Sequence, residues 1–108
     1  MNSEVPKKMR NIEQISPQKQ RDVVKMIEIC SQDENIKKII IFGSSVTDNC
    51  KNESDIDIYY EFKTVPRKYP TIKSHSAVFD KWDNFNVDEN LKKEIYSTGV
   101  VVYESNNQ

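Results

Sequence analysis

The chain is poor in the residues that usually punctuate or staple a small fold. Its 108 residues hold two glycines, four prolines, two cysteines, one tryptophan and one histidine. Two cysteines twenty residues apart, Cys30 and Cys50, with a lone His75, form no zinc-ligand pattern. No apolar run approaches the length of a membrane span, and the opening Met1-Asn2-Ser3-Glu4 lacks an apolar leader region. The expectation is therefore a cytoplasmic protein with reduced thiols and no membrane contact. Net charge is −1, so no bulk positive field argues for direct nucleic-acid binding. Repeats and low-complexity segments are absent as well.

What is present is one domain's worth of polar but globular sequence: 31% charged, 36% apolar, mean hydropathy −0.75. Residues 1–15 are polar and irregular and are expected to be a flexible segment, with residues 16–108 forming a single domain. Ser16-Pro17 reads as a helix start, and Val23, Ile27 and Cys30 recur at i, i+4, i+7, predicting an amphipathic helix over about 17–32. Cys30 is expected in its core-facing stripe. Ile36 to Phe42 is a near-continuous run of β-formers, as in a strand covered on both faces. A short helix over 45–51, a strand over 56–62 and a third strand over 76–82 follow. A helix capped by Asn86 or Asp88 comes next, with Gly99 expected as its left-handed C-terminal glycine and a last strand from Val100. Trp82, Phe85 and Tyr96 are expected in the core. The order of elements predicts an α/β (α+β) fold, a small mixed β-sheet packed against helices.

One stretch stands out. "IIIFGSSVTDNCKNESDIDIYYEF" places Gly43-Ser44 at the end of the apolar strand, then ten residues, then Asp55-Ile56-Asp57. Strand alternation puts Asp55, Asp57, Tyr59 and Glu61 on one face and Ile56, Ile58, Tyr60 and Phe62 on the other. Aspartate is depleted in strands, and two on one face suit divalent metals flanked by carboxylate oxygens, magnesium above all. A glycine at the strand end lets backbone amides come close to a phosphate, and a serine adds a donor.

This pattern resembles the signature of the DNA polymerase β-like nucleotidyltransferase superfamily, and more closely that of the minimal nucleotidyltransferase (MNT) antitoxins paired with HEPN toxins. The resemblance spans about residues 17–104. It implies a minimal nucleotidyltransferase fold, two Mg²⁺ ions and ATP as substrate. It further implies that Asp55 and Asp57 bind metal, that Gly43, Ser44 and Ser45 line the nucleotide site, and that a third catalytic and metal-binding carboxylate falls in "AVFDKWDNF". Asp80 is the choice there and Asp83 the runner-up. The expected partner is a HEPN toxin in a hetero-oligomer, with a tyrosine hydroxyl as acceptor. Two alternatives stand beside it: a binding-only antitoxin, and the nucleotide-binding subunit of a small-molecule nucleotidyltransferase. The departure from the family pattern is Ser45-Val46-Thr47-Asp48, where the family often carries arginine. Lys63, Arg67, Lys68, Lys73 and His75 are the candidate replacement cations.

Overall fold

The computed structural model describes residues 9–65, 68–70 and 78–105. Its elements are α1 (Pro17–Cys30), β1 (Ile36–Phe42), β2 (Ile56–Phe62), β3 (Phe79–Asp83), α2 (Glu89–Thr98) and β4 (Val100–Glu104), with short 3-10 helices at Ile12–Gln14 and Gly43–Val46. The four strands form one mixed sheet in the order β3-β2-β1-β4. β1 pairs antiparallel with both β2 and β4, and β2 pairs parallel with β3. A parallel pair needs a long crossover, and residues 63–78 provide it. No helix among the described residues is long and apolar enough to cross a membrane.

β1 is apolar from Ile39 to Phe42 because it is central and covered twice there. Ile39 and Ile41 join Val23, Met26, Ile27 and Cys30 of α1 and Ile56, Ile58, Tyr60 and Phe62 of β2 in the larger core. Ile40 and Phe42 face the other way and pack with Tyr59 and Ile95 of α2. Full burial of each such isoleucine contributes on the order of 1.5–3 kcal/mol. Burial also pushes the Cys30 thiol up to about 12, so it behaves as an inert apolar group.

Several elements depart from expectation. α1 ends at Cys30, and β3 is Phe79–Asp83 rather than 76–82; Ser76 and Ala77 lie outside the described residues. Helix does not extend over 45–51. Thr47 turns its backbone amide (3.0 Å) and its hydroxyl (3.0 Å) onto the Ser44 carbonyl, and the amide of Asn49 then bonds the Thr47 hydroxyl at 3.1 Å. That local hydroxyl network satisfies the backbone in place of helical bonds. Of the segment 1–15 expected to be flexible, residues 1–8 lie outside the described residues, and residues 9–15 are held in place. Met9 bridges Tyr103, Arg10 N–H bonds the Val102 carbonyl at 3.0 Å, Asn11 donates to the Val101 carbonyl at 2.8 Å, and Ile15 is buried. Residues 9–15 thus cap the β4 edge, which removes one exposed sheet edge. Phe85 and Tyr96 are exposed rather than in the core, and Trp82 is partly buried. Asp88 does cap α2, accepting from Leu91 N–H at 2.8 Å.

Gly99 is not a left-handed cap either. Its backbone is extended (φ −76°, ψ 166°), a conformation open to any residue. Glycine is required by crowding: a Cβ there would collide with Ile40 Cγ2 and approach the Ile95 carbonyl to 2.5 Å. Gly99→Ala should therefore destabilise the fold by about 1–3 kcal/mol, as overpacking does. Urea unfolding should show this as a lower midpoint with an unchanged slope.

Candidate functional site

The sheet register assembles the site. Phe42 of β1 pairs with Asp57 of β2, and Asp57 pairs with Asp80 of β3. Paired residues point to the same face, so Phe42, Asp57 and Asp80 form one row across three strands. The row behind it is Ile40, Tyr59 and Trp82. This face is the α2 side of the sheet, opposite α1.

Gly43 follows Phe42 directly and has φ +76°, a left-handed conformation that favours glycine. A Cβ at this position would overlap Asp57 Oδ2. The glycine therefore serves two needs at once: it turns the chain sharply out of β1, and it lets a carboxylate lie against the backbone. Asp55 sits just ahead of β2 and is exposed, so it belongs to the approach to the strand rather than to its pleat.

Asp57 senses the other two carboxylates. Asp57 is pushed up from 3.8 to about 6, first by its burial, then by the charges of Asp80 and Asp55. The ion pairs Arg10–Glu104 (2.7 Å) and Lys38–Glu104 (3.6 Å) lie toward the other end of β1. Lys63 and Lys68 are exposed, and Arg67, Lys73 and His75 lie outside the described residues. Among the described residues no group of three or more His, Cys, Asp or Glu side chains already closes around a metal position. The donor chemistry nonetheless fits magnesium: hard carboxylate oxygens, no thiol or imidazole, and mutual repulsion that a cation would relieve. Asp55, Asp57 and Asp80 are the residues that would hold it.

Asp83 is on the wrong face for this role. It pairs with Tyr60, is fully buried, and is engaged elsewhere. One carboxylate oxygen accepts from the amides of Phe85 (2.7 Å) and Asn86 (3.1 Å), and the other accepts from the Tyr69 hydroxyl at 2.5 Å. Ser45 also differs from expectation. It is fully buried, and its enclosed hydroxyl has no hydrogen-bond partner among the described residues, whereas Ser44 is only half-buried.

The site depends on residues that the motif did not reveal. The first turn of α1 holds the whole segment that links Gly43-Ser44 to Asp55. Ser16 N–H bonds the Ser45 carbonyl (2.8 Å), Gln18 Nε2 the Cys50 carbonyl (2.9 Å), and Lys19 Nζ the Asn52 carbonyl (2.9 Å). Lys19 is 1% exposed. A signal for it was present: Lys19 lies four residues before Val23, on the buried stripe of α1, where a lysine has no place unless its ammonium finds an acceptor.

With this geometry in view, the class is that of a nucleotidyltransferase fold. The polymerase beta nucleotidyltransferase family model matches residues 24–108, and the chain belongs to that family. Its fold is similar to the crystal structure of a candidate nucleotidyltransferase from Sulfolobus solfataricus. The TM-score is 0.51 and the identity 18%, over 85% of this chain and 92% of that one; the likeness is one of fold. A comparison with curated proteins finds no match. The reaction class of the family is nucleotidyl transfer.

Two outcomes follow. A carboxyl whose pKa is raised on folding binds its proton more tightly in the folded state, so stability falls as pH rises from about 4 to about 6 and is level above that. Asp57→Asn removes this loss. In EDTA it should raise Tm at pH 7.5 by roughly 1–4 °C, discounted for solvent screening, and change Tm little near pH 4. Lys19→Met strips the donor from the Asn52 carbonyl and should cost about 1–3 kcal/mol. Amide exchange in residues 51–55 should accelerate more than in β1.

Proposed function

We propose that the chain is a Mg²⁺-dependent nucleotidyltransferase that moves AMP from ATP to a tyrosine hydroxyl of a HEPN-type toxin, acting as the antitoxin of the pair in the cytoplasm. The observation that carries the transfer reading is the Phe42–Asp57–Asp80 row with the Gly43 turn lying against Asp57. Membership of the family supports the reaction class. The acceptor and partner are taken from the sequence's likeness to MNT antitoxins.

Each residue has a defined task. The turn at Gly43-Ser44 presents backbone amides and the Ser44 hydroxyl to the phosphate oxygens. Asp55, Asp57 and Asp80 would hold two magnesium ions, which when bound neutralise charge on the attacking and leaving oxygens. Asp80 accepts the proton of the acceptor hydroxyl. The acceptor oxygen forms a bond to the α-phosphorus, the bond from that phosphorus to the α–β bridging oxygen breaks, and pyrophosphate leaves with the bond's electron pair.

A second reading, neutralisation by binding alone, is favoured by one feature. The turn Ser45-Val46-Thr47-Asp48 brings no cation to the phosphates and adds an acid. Incubation with α-labelled ATP, Mg²⁺ and the toxin encoded beside it separates the two. Labelled toxin is expected from the wild type, and Asp55→Ala with Asp57→Ala should lower labelling by at least about 100-fold, the upper end of what losing a metal's outer-shell support costs. Undiminished labelling by the double variant rejects the site. A wild type that neutralises the toxin without labelling it makes binding the function.

A further inference from the structure

The row of carboxylates is backed by an aromatic wall that the transfer chemistry leaves unused. Trp82 stands two residues after Asp80 on β3, and so on the same face, one pleat behind it. Its ring meets Phe42 edge-on at 5.4 Å and 61°, and it packs against the cluster of Ile40, Phe42, Tyr59 and Ile95. Phe42, Tyr59 and Ile95 are buried, but Trp82 remains partly open. Beyond the two ends of the strand lie exposed apolar side chains: Val78, just before β3, is 61% exposed, and Phe85, in the turn after it, is 46% exposed.

We infer that Trp82, held by Phe42, is the platform on which the aromatic ring of the acceptor stacks while its hydroxyl meets Asp80. This deepens the transfer reading above and rests on it. The placement across the sheet decides which substrate the ring receives. Phosphates belong at the end of β1, where Gly43-Ser44 turn. Asp57 is central, and Asp80 lies on the far side, on β3. Trp82 shares β3 with Asp80, so it adjoins the acceptor rather than the triphosphate. The distances agree. Side chains two apart on a strand are separated by about 6.6–6.8 Å. A phenol whose oxygen is hydrogen-bonded to Asp80 at about 2.5–3.0 Å brings its ring toward Trp82, within the 4.5–7 Å centroid spacing of aromatic pairs. A serine or threonine hydroxyl can also reach Asp80, but brings no ring to stack on the indole. The platform thus suits the tyrosine acceptor of the proposed reading, carried on a polypeptide whose flanking residues cover Val78 and Phe85.

Trp82 is the sole tryptophan, so its indole N–H gives one NMR signal to follow in the full chain. The probe is a tyrosine-containing peptide, compared with its Tyr→Ser copy. Both are added with Mg²⁺ and an ATP analogue bearing a methylene between the α- and β-phosphates. The tyrosine peptide is expected to shift the signal saturably and the serine peptide to leave it in place. Equal shifts, or none, overturn the inference. In the kinetic arm, Trp82→Leu should raise KM for the tyrosine peptide about 3–10-fold and leave KM for ATP unchanged, while Trp82→Phe keeps most of the affinity. An unchanged peptide KM in Trp82→Leu, or a raised KM for ATP instead, also overturns it. Absence of label transfer by the wild type rejects the transfer reading; the NMR comparison then decides the platform alone, as it does if Trp82→Leu fails to fold.

Discussion

The contact between the Asp57 carboxylate and the backbone of Gly43 is the constraint on which the site depends. It is possible because position 43 has no Cβ and because its left-handed backbone turns the chain away from β1 at that point. Any other residue would face both a strained backbone and a collision with Asp57 Oδ2. The contact places the turn that offers amides beside the carboxylate that repels its neighbours. On the proposed reading, the turn would meet the phosphates and the carboxylates the cation at one end of the sheet, on groups anchored by strand pairing.

Burying the Asp57 carboxylate, and doing so beside Asp80 and Asp55, works against folding, as its raised pKa shows. The rest of the domain offsets that cost. β1 is buried on both faces, α1 covers one side of the sheet, and residues 9–15 close the β4 edge. The same helix that covers the sheet also grips the linking segment at three carbonyls, from Ser16, Gln18 and Lys19. Scaffold and site are therefore joined through the first turn of α1. On the other face α2 covers Tyr59 and Ile40, and Trp82, two residues after Asp80, packs partly buried against the same cluster.

Much of this was legible in the residues. The two inner strands have the expected bounds because their signals are local: four consecutive β-formers in one, strict alternation in the other. Asp57 and Asp80 are named together from the family likeness, and the register sets them side by side. What was not legible depended on contacts between distant segments. Residues 9–15 look polar and loose, yet they pair with β4. Gly99 reads as a helix cap, yet it is required because Ile40 presses on it. Asp83 and Asp80 look interchangeable three residues apart, and only the pleat shows that they face opposite ways. Ser45 belongs to the motif by position, but the 3-10 turn buries it. The linking segment looked weak because it lacks arginine; its order comes from α1, some thirty residues earlier.

The central claim is that the Gly43 turn and the Asp57–Asp80 row form one site for a divalent ion and a nucleoside triphosphate. The most direct measurement is paramagnetic broadening by Mn²⁺ in the ¹H–¹⁵N spectrum of the full chain, with and without ATP. The account predicts that low Mn²⁺ broadens the amides of Gly43, Ser44, Asp55, Asp57 and Asp80 first, and that ATP sharpens this preference. Broadening that begins instead at Glu61 and Glu104, or that ATP does not alter, would contradict it.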